Sequence, residues 1–158
     1  MKRLLPRLVL GALAIAMPAA AAAPRDPPQY KFFDKDDPTI KDNFTLLEWD
    51  RRALITDATW AVADTSCSFL FGNTGRLPTI KELLTILDED PHEKFEFGKI
   101  VFKMIDQDAF DGAQGTPVDL PYWTSTPAPD GKLWTLDFST GAMVPKLATE
   151  KGNARCVR

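Results

Sequence analysis

One short motif constrains the fold of this chain more than any other feature of its 158 residues. In the sequence Arg-Leu-Pro-Thr at positions 76–79, Pro78 favours an extended conformation at the residue before it, so a helix should begin only afterwards. Thr79 and Glu82 then form a Thr-x-x-Glu capping box, in which each side chain can bond to the backbone N–H of the other. The spacing of the apolar residues that follow predicts a helix over 79–88 with one buried face.

The first 22 residues have the pattern of a secretory signal peptide. Lys2, Arg3 and Arg7 form a basic start, an apolar run follows at 8–17, and small residues surround the predicted cleavage after Ala22. The apolar run is too short for a membrane span, although an uncleaved N-terminal anchor is the alternative. We therefore expect a secreted or periplasmic protein with no membrane span after cleavage.

Cleavage would leave about 135 residues, which is enough for one domain. Residues 23–31 begin with a proline-rich, charged stretch and are predicted to be a flexible lead-in, and 32–158 is predicted to be the domain. With three of the 19 basic residues removed against 22 acidic ones, the formal charge of −3 becomes about −6. An acidic chain argues against nucleic acid as a partner and against a general attraction to sulfated glycans.

The chain contains two cysteines, Cys67 and Cys156. An even number of cysteines in an exported chain predicts one disulfide. Such a bond would close a loop of about 90 residues, which is worth about 4–5 kcal/mol in the chain-entropy model. The alternative is a pair of free or redox-active thiols, but the two are far apart and lack a Cys-x-x-Cys spacing.

The order of predicted elements favours the α+β class. Short strands are predicted at 39–42 and 46–49, and Trp60, Ala63, Cys67 and Leu70 share one face of a first helix. The helix that begins at Thr79 comes next. Because the remaining strands form a meander near the C-terminus, we expect an antiparallel sheet. The predicted strands of that meander are 122–126, 133–138, 142–147 and 153–157.

Several motifs in one order resemble the Lcl C-terminal domain, the terminal domain of a bacterial collagen-like adhesin. They are Arg76-Leu77-Pro78-Thr79 with Glu82-Leu83, Tyr122-Trp123-Thr124-Ser125-Thr126, Asp137-Phe138-Ser139-x-Gly141 and Arg155-Cys156-Val157-Arg158. The resemblance implies a C-type-lectin-like fold, with two helices packed on a twisted antiparallel sheet with long loops, and a bond between Cys67 and Cys156. It also implies glycan or glycosaminoglycan binding at a surface. Two departures are Leu46, where relatives usually have Gly, and Gly75, where many have Trp.

Three sets of residues are candidates for roles in structure or binding. Arg76, Thr79 and Glu82 are expected to be a structural motif, although Arg76 could instead contact a ligand. Aromatic side chains can stack on sugar rings, so a binding surface is predicted on the hairpin around the 127–132 turn. Its candidate residues are Trp123, Ser125, Asp130, Lys132 and Trp134. The alternative for Trp123, as for Trp60, is a place in the core.

Metal and catalytic chemistry have weak support in the sequence. The run Asp106-x-Asp108-x-x-Asp111-Gly112 suggests a calcium loop, but its acids and glycine are out of step with an EF-hand. His92 is the only histidine, so zinc clusters and histidine-dependent triads have no second residue. Formylglycine-generating oxidases share the 76–82 motif but need a reactive cysteine pair. We therefore predict no metal, no cofactor and no catalytic residue.

The prediction for function is a non-catalytic exported module that binds an extracellular glycan or a cell-surface partner. The alternative is a structural or protein-interaction component of the cell envelope. Both place the binding residues away from the capping box, on the loops after Asp106 and on the C-terminal hairpin.

Overall fold

The structure is a computed structural model that describes residues 28–31, 37–52, 55–96, 98–110 and 116–158. The predicted signal peptide lies outside the described residues, as does most of the predicted lead-in.

A small antiparallel sheet lies near the start of the described chain. Its strands are β1 (Tyr30–Lys31), β2 (Thr39–Asp42) and β3 (Glu48–Asp50), in the order β1-β2-β3. Ile40 and Trp49 are cross-strand partners and both are buried, as alternation along the two strands requires. The predicted strand at 39–42 is confirmed. The sheet also begins inside the predicted lead-in, because β1 pairs with β2.

The next elements are β4 (Ile55–Ala58), α1 (Trp60–Ser68) and α2 (Leu70–Asn73). Helix α1 buries Ala63 and Cys67, which confirms its predicted inner face. The segment α2 is one irregular turn in which Phe71 and Gly72 have positive φ, so the chain reverses direction there. This reversal brings the chain to the capping-box motif.

Helix α3 (Ile80–Leu84) begins where the sequence predicts, with Thr79 as its N-cap. It ends earlier than the predicted 79–88, because Leu87 starts the strand β5 (Leu87–Glu96) and pairs with Ile105. The acidic residues at 88–90 would also be unfavourable at a helix C-terminus, where the macrodipole is negative. Strand β5 forms a two-stranded hairpin with β6 (Lys99–Ile105), and the one-turn helix α4 (Gln107–Phe110) follows.

The remaining strands complete a five-stranded sheet. They are β7 (Tyr122–Pro127), β8 (Leu133–Leu136), β9 (Met143–Lys146) and β10 (Gly152–Ala154). The order is β4-β10-β7-β8-β9, and the predicted meander β7-β8-β9 is confirmed. The expectation of a purely antiparallel sheet is wrong at one place, because β10 is parallel to β7. The last strand returns between β4 and β7 instead of continuing the meander at the edge.

Neighbouring residues of β7 divide the core into two parts. Tyr122 belongs to a cluster that includes Leu83 of α3, whereas Trp123 belongs to a cluster that includes Cys67 of α1. Because successive side chains of a strand point to opposite faces, the two helices cover opposite sides of the sheet. The α+β class is confirmed, while the C-type-lectin-like fold stays a prediction. No helix in the described ranges is long and apolar enough to cross a membrane.

The last residues of the chain connect three separate segments. The backbones of Glu48 and Arg158 exchange hydrogen bonds of 3.0 and 3.1 Å, and those of Arg76 and Val157 exchange bonds of 2.9 and 3.0 Å. The preceding residue, Cys156, forms the predicted disulfide with Cys67 of α1. We call residues 152–158 the C-terminal clamp, because they join β3, the capping-box motif and α1.

Candidate functional site

The capping-box motif is satisfied within the chain. The Arg76 guanidinium donates to both oxygens of the Glu82 carboxylate, at 2.8 and 2.6 Å, and the Thr79 N–H donates to Glu82 Oε2 at 2.8 Å. The hydrogen bond from Arg76 is the main reason that the pKa of Glu82 falls from 4.5 to about 2, and the bonds from Thr79 add to it. The three residues are thus bonded to one another, and their purely structural role stays a prediction.

Residues of the predicted hairpin surface have different environments. Trp123 is fully buried, and its Nε1–H donates to the Ala58 carbonyl at 2.9 Å. A ligand cannot reach this side chain, so Trp123 lies in the core, as the alternative prediction stated. Ser125 is exposed and its hydroxyl donates to the Pro78 carbonyl at 3.2 Å. Asp130 is exposed in the turn with φ 60°, and Lys132 and Trp134 are half-buried. A ligand contact by these four residues stays a prediction.

A cavity of about 900 Å³ lies on another part of the surface, between β1, the start of β5 and α4. Among the described residues, five of those that line it carry carboxylates, and none is a lysine or arginine. The lining residues are Pro28, Gln29, Tyr30, Ile86, Leu87, Asp88, Glu89, Asp90, Asp106, Asp108 and Ala109. We call this the acidic cavity. Two of its acids belong to the loop after Asp106 that the sequence singled out.

Tyr30 supplies the aromatic part of the acidic cavity. Its ring packs edge-on against Phe110, with 5.0 Å between the ring centroids. Burial raises the pKa of the Tyr30 hydroxyl above its usual value, and the nearby carboxylates of Asp42, Asp106 and Asp88 raise it further. The hydroxyl therefore stays protonated and can donate a hydrogen bond at any physiological pH.

Two buried arginines contact helix α4, which forms one wall of the acidic cavity. Arg51 donates from Nε to the Ala109 carbonyl at 2.8 Å and from a terminal nitrogen to the Asp108 carbonyl at 3.0 Å. Arg155 lies 4.8 Å from the Phe110 ring centroid. The two Arg51 bonds satisfy carbonyls at the end of α4, which have no partner within the helix. Neither arginine is assigned this role from the sequence, since no local pattern marks an arginine as buried, although Arg155 belongs to a motif of the family resemblance.

The acids after Asp106 serve the backbone of α4. Asp106 is placed as its N-cap, because the Ala109 N–H donates to Asp106 Oδ1 at 3.0 Å. Among the described residues, no group of three or more histidine, cysteine or acidic side chains is arranged to hold a metal ion. Asp111 and Gly112 of the suggested calcium loop lie outside those residues, as does the side chain of His92. The absence of a metal stays a prediction.

Comparison with protein families adds to this geometry. Residues 38–158 match the family model of the Lcl C-terminal domain. The chain belongs to this family. No relative among curated proteins matches it. The predicted family is therefore confirmed over 38–158, a range that contains the capping box, the disulfide and the C-terminal clamp.

The structure describes the backbone at both departures of this Lcl C-terminal domain from the usual pattern. Leu46 has φ 63° and is 70% exposed in the turn between β2 and β3, a backbone conformation that suits the glycine of its relatives. A Cβ at Gly75 would lie 2.3 Å from the Cys67 carbonyl oxygen and 3.0 Å from the Phe71 side chain. A tryptophan therefore does not fit at position 75 unless this backbone moves.

Proposed function

We propose that this Lcl C-terminal domain is an exported, non-catalytic binding module, and that it binds an extracellular glycan in the acidic cavity. The observation that carries the proposal is a single concavity that combines carboxylates with a tyrosine. A volume of about 900 Å³ is in the usual range for sites that enclose a small ligand. Membership of a family named after an adhesin's terminal domain supports a binding role.

The chemistry of the cavity favours a neutral or amino sugar. Carboxylates accept hydrogen bonds from hydroxyl and ammonium groups, and such charge-assisted bonds are among the stronger ones in proteins. The Tyr30 hydroxyl supplies a donor and its ring an apolar surface. Sulfate and uronate groups would be repelled, so the cavity is a poor match for a glycosaminoglycan.

Two further observations support export and a non-catalytic role. The disulfide between Cys67 and Cys156 is typical of exported proteins. Because both cysteines are bonded and fully buried, neither offers the thiol that a formylglycine-type oxidase would use.

A glycan array tests the proposal directly. It should include neutral, amino and sulfated glycans, each with and without calcium, and retention of neutral or amino sugars is expected.

The double variant Glu89→Gln/Asp90→Asn removes two carboxylates that line the cavity and should weaken binding about tenfold to a hundredfold. Glu93→Gln is the matched control, because Glu93 is exposed but does not line the cavity. Retention of sulfated glycans alone, or equal losses in both variants, would contradict the proposal.

A further inference from the structure

The β5–β6 hairpin carries an exposed apolar face. Phe95, Ile100 and Phe102 are 74%, 59% and 46% exposed. Phe95 and Ile100 are direct cross-strand partners, and Phe102 lies two residues beyond Ile100, so the three side chains are on the same face. A two-stranded hairpin is only marginally stable in water, and a third strand over such a face would stabilise it.

The direction of the backbone groups shows how this hairpin can be extended. The Met104 N–H donates to the Phe138 carbonyl at 2.7 Å. This N–H group therefore points away from β5. Because these directions alternate along a strand, the N–H and C=O groups of Ile100 and Phe102 also point away from β5. In the described part of the chain, β6 pairs only with β5. Residues 100–102 therefore offer a short open edge in line with the existing bond at Met104.

The opposite edge of the hairpin is less suited to pairing. In β5, residues 88–91 form a bulge opposite Met104, and Pro91 has no N–H to donate. Glu93 is exposed on that strand, whereas Lys99 is exposed on β6. Bulges, prolines and charges are the usual means by which proteins protect edges. Pairing is therefore directed to the β6 edge, where the exposed Lys99 can attract acidic residues of an added strand.

We propose that the β6 edge at residues 100–102 binds an extended segment of a partner protein, in which apolar and acidic residues alternate. The added strand pairs with the backbones of Ile100 and Phe102. Its apolar side chains cover the face formed by Phe95, Ile100 and Phe102, and its acidic side chains lie on the other face beside Lys99. This role is independent of glycan binding, since none of these residues lines the acidic cavity.

Amide exchange of the ¹⁵N-labelled protein tests the proposal with a defined probe, a capped hexapeptide of alternating valine and glutamate. At millimolar peptide, exchange at Ile100 and Phe102 should slow by about tenfold or more, while Glu93 and Phe95 stay unchanged. A control peptide with proline in place of the central valine should have no effect. Ile100→Pro should abolish the slowing at Phe102, and Ile100→Thr, which keeps the N–H, should retain most of it.

Three results would overturn the proposal. The first is unchanged exchange at Ile100 and Phe102 with saturating peptide. The second is protection at Glu93 and Phe95 instead. The third is slowing that follows protein concentration in the absence of peptide, which would assign the edge to a second copy of the chain. The two peptides are compared on the unaltered protein, so the test does not depend on the folding of the proline variant.

Discussion

The C-terminal clamp and the acidic cavity differ in how the chain uses their polar groups. Around the clamp, distinctive residues bind each other: Arg76 and Glu82 form a bidentate pair, and Cys67 is bonded to Cys156. At the cavity, five carboxylate residues line an open concavity, and Glu89 and Asp90 are exposed. The motif that is most prominent in the sequence thus has its polar groups bonded within the chain.

This difference teaches where recognition can reside in such a domain. A side chain that satisfies another group in the chain has little capacity left for a ligand, and removing it should mainly affect folding. An exposed side chain that lines the cavity, such as that of Glu89 or Asp90, can be changed at small cost to folding. Substitutions in the clamp should therefore change stability, and substitutions at the cavity should change binding.

Removal of the disulfide is the strongest test of this division. Cys67 and Cys156 are 89 residues apart and fully buried, so Cys67→Ala/Cys156→Ala should lower the free energy of unfolding by about 4–5 kcal/mol. Denaturant unfolding measures this loss, and reduction of the unaltered protein should give a similar one. A loss below about 1 kcal/mol would mean that backbone pairing alone holds the clamp.

Glu82 provides a smaller effect with a defined pH dependence. Its pKa is about 2 in the folded protein and 4.5 ordinarily, so the carboxylate stabilises the fold above pH 4.5 and loses that contribution as the pH falls towards 2. The full shift corresponds to about 3 kcal/mol. Because the pair is partly exposed, solvent screening reduces the expected loss in Glu82→Gln to about 1–2 kcal/mol at pH 7.

The control for this measurement is a carboxylate that lies outside both the clamp and the capping-box motif. Glu93→Gln removes an exposed carboxylate of the hairpin and should change the free energy of unfolding by less than about 0.5 kcal/mol. Urea unfolding at several pH values between 2.5 and 7 compares the two variants. A Glu82→Gln loss that stays constant over this range would show that ionisation of Glu82 is not its source.

The elements that the sequence predicts well are those determined locally. The capping box needs only Thr79 and Glu82, and the inner face of α1 follows from the spacing of Ala63 and Cys67. The end of α3 depends instead on the distant pairing of Leu87 with Ile105. Local propensity favours continuing the helix there, and the tertiary pairing overrides it.

The candidate site is less predictable, because it is assembled from segments that are far apart in the chain. Tyr30, Asp88 and Asp106 meet at the acidic cavity only through packing of β1, β5 and α4. The acidic run that begins at Asp106 marks this loop in the sequence, but no pattern marks its neighbours in space. Trp123 shows the same limit, since both faces of β7 are buried at Tyr122 and Trp123 and alternation alone does not reveal this.

A substitution at Leu46 gives the smallest expected effect. It tests whether this exposed leucine, which has a strained backbone conformation, takes part in binding. A leucine with φ 63° is less favourable than a glycine, so Leu46→Gly should raise the free energy of unfolding by about 0.5–1 kcal/mol. Thr45→Gly is the control and should lower it, because Thr45 does not have positive φ. If Leu46→Gly is more stable and binds glycans as well as the unaltered protein, the leucine has no part in recognition. If it is more stable but binds less, the binding surface extends from the acidic cavity to this turn.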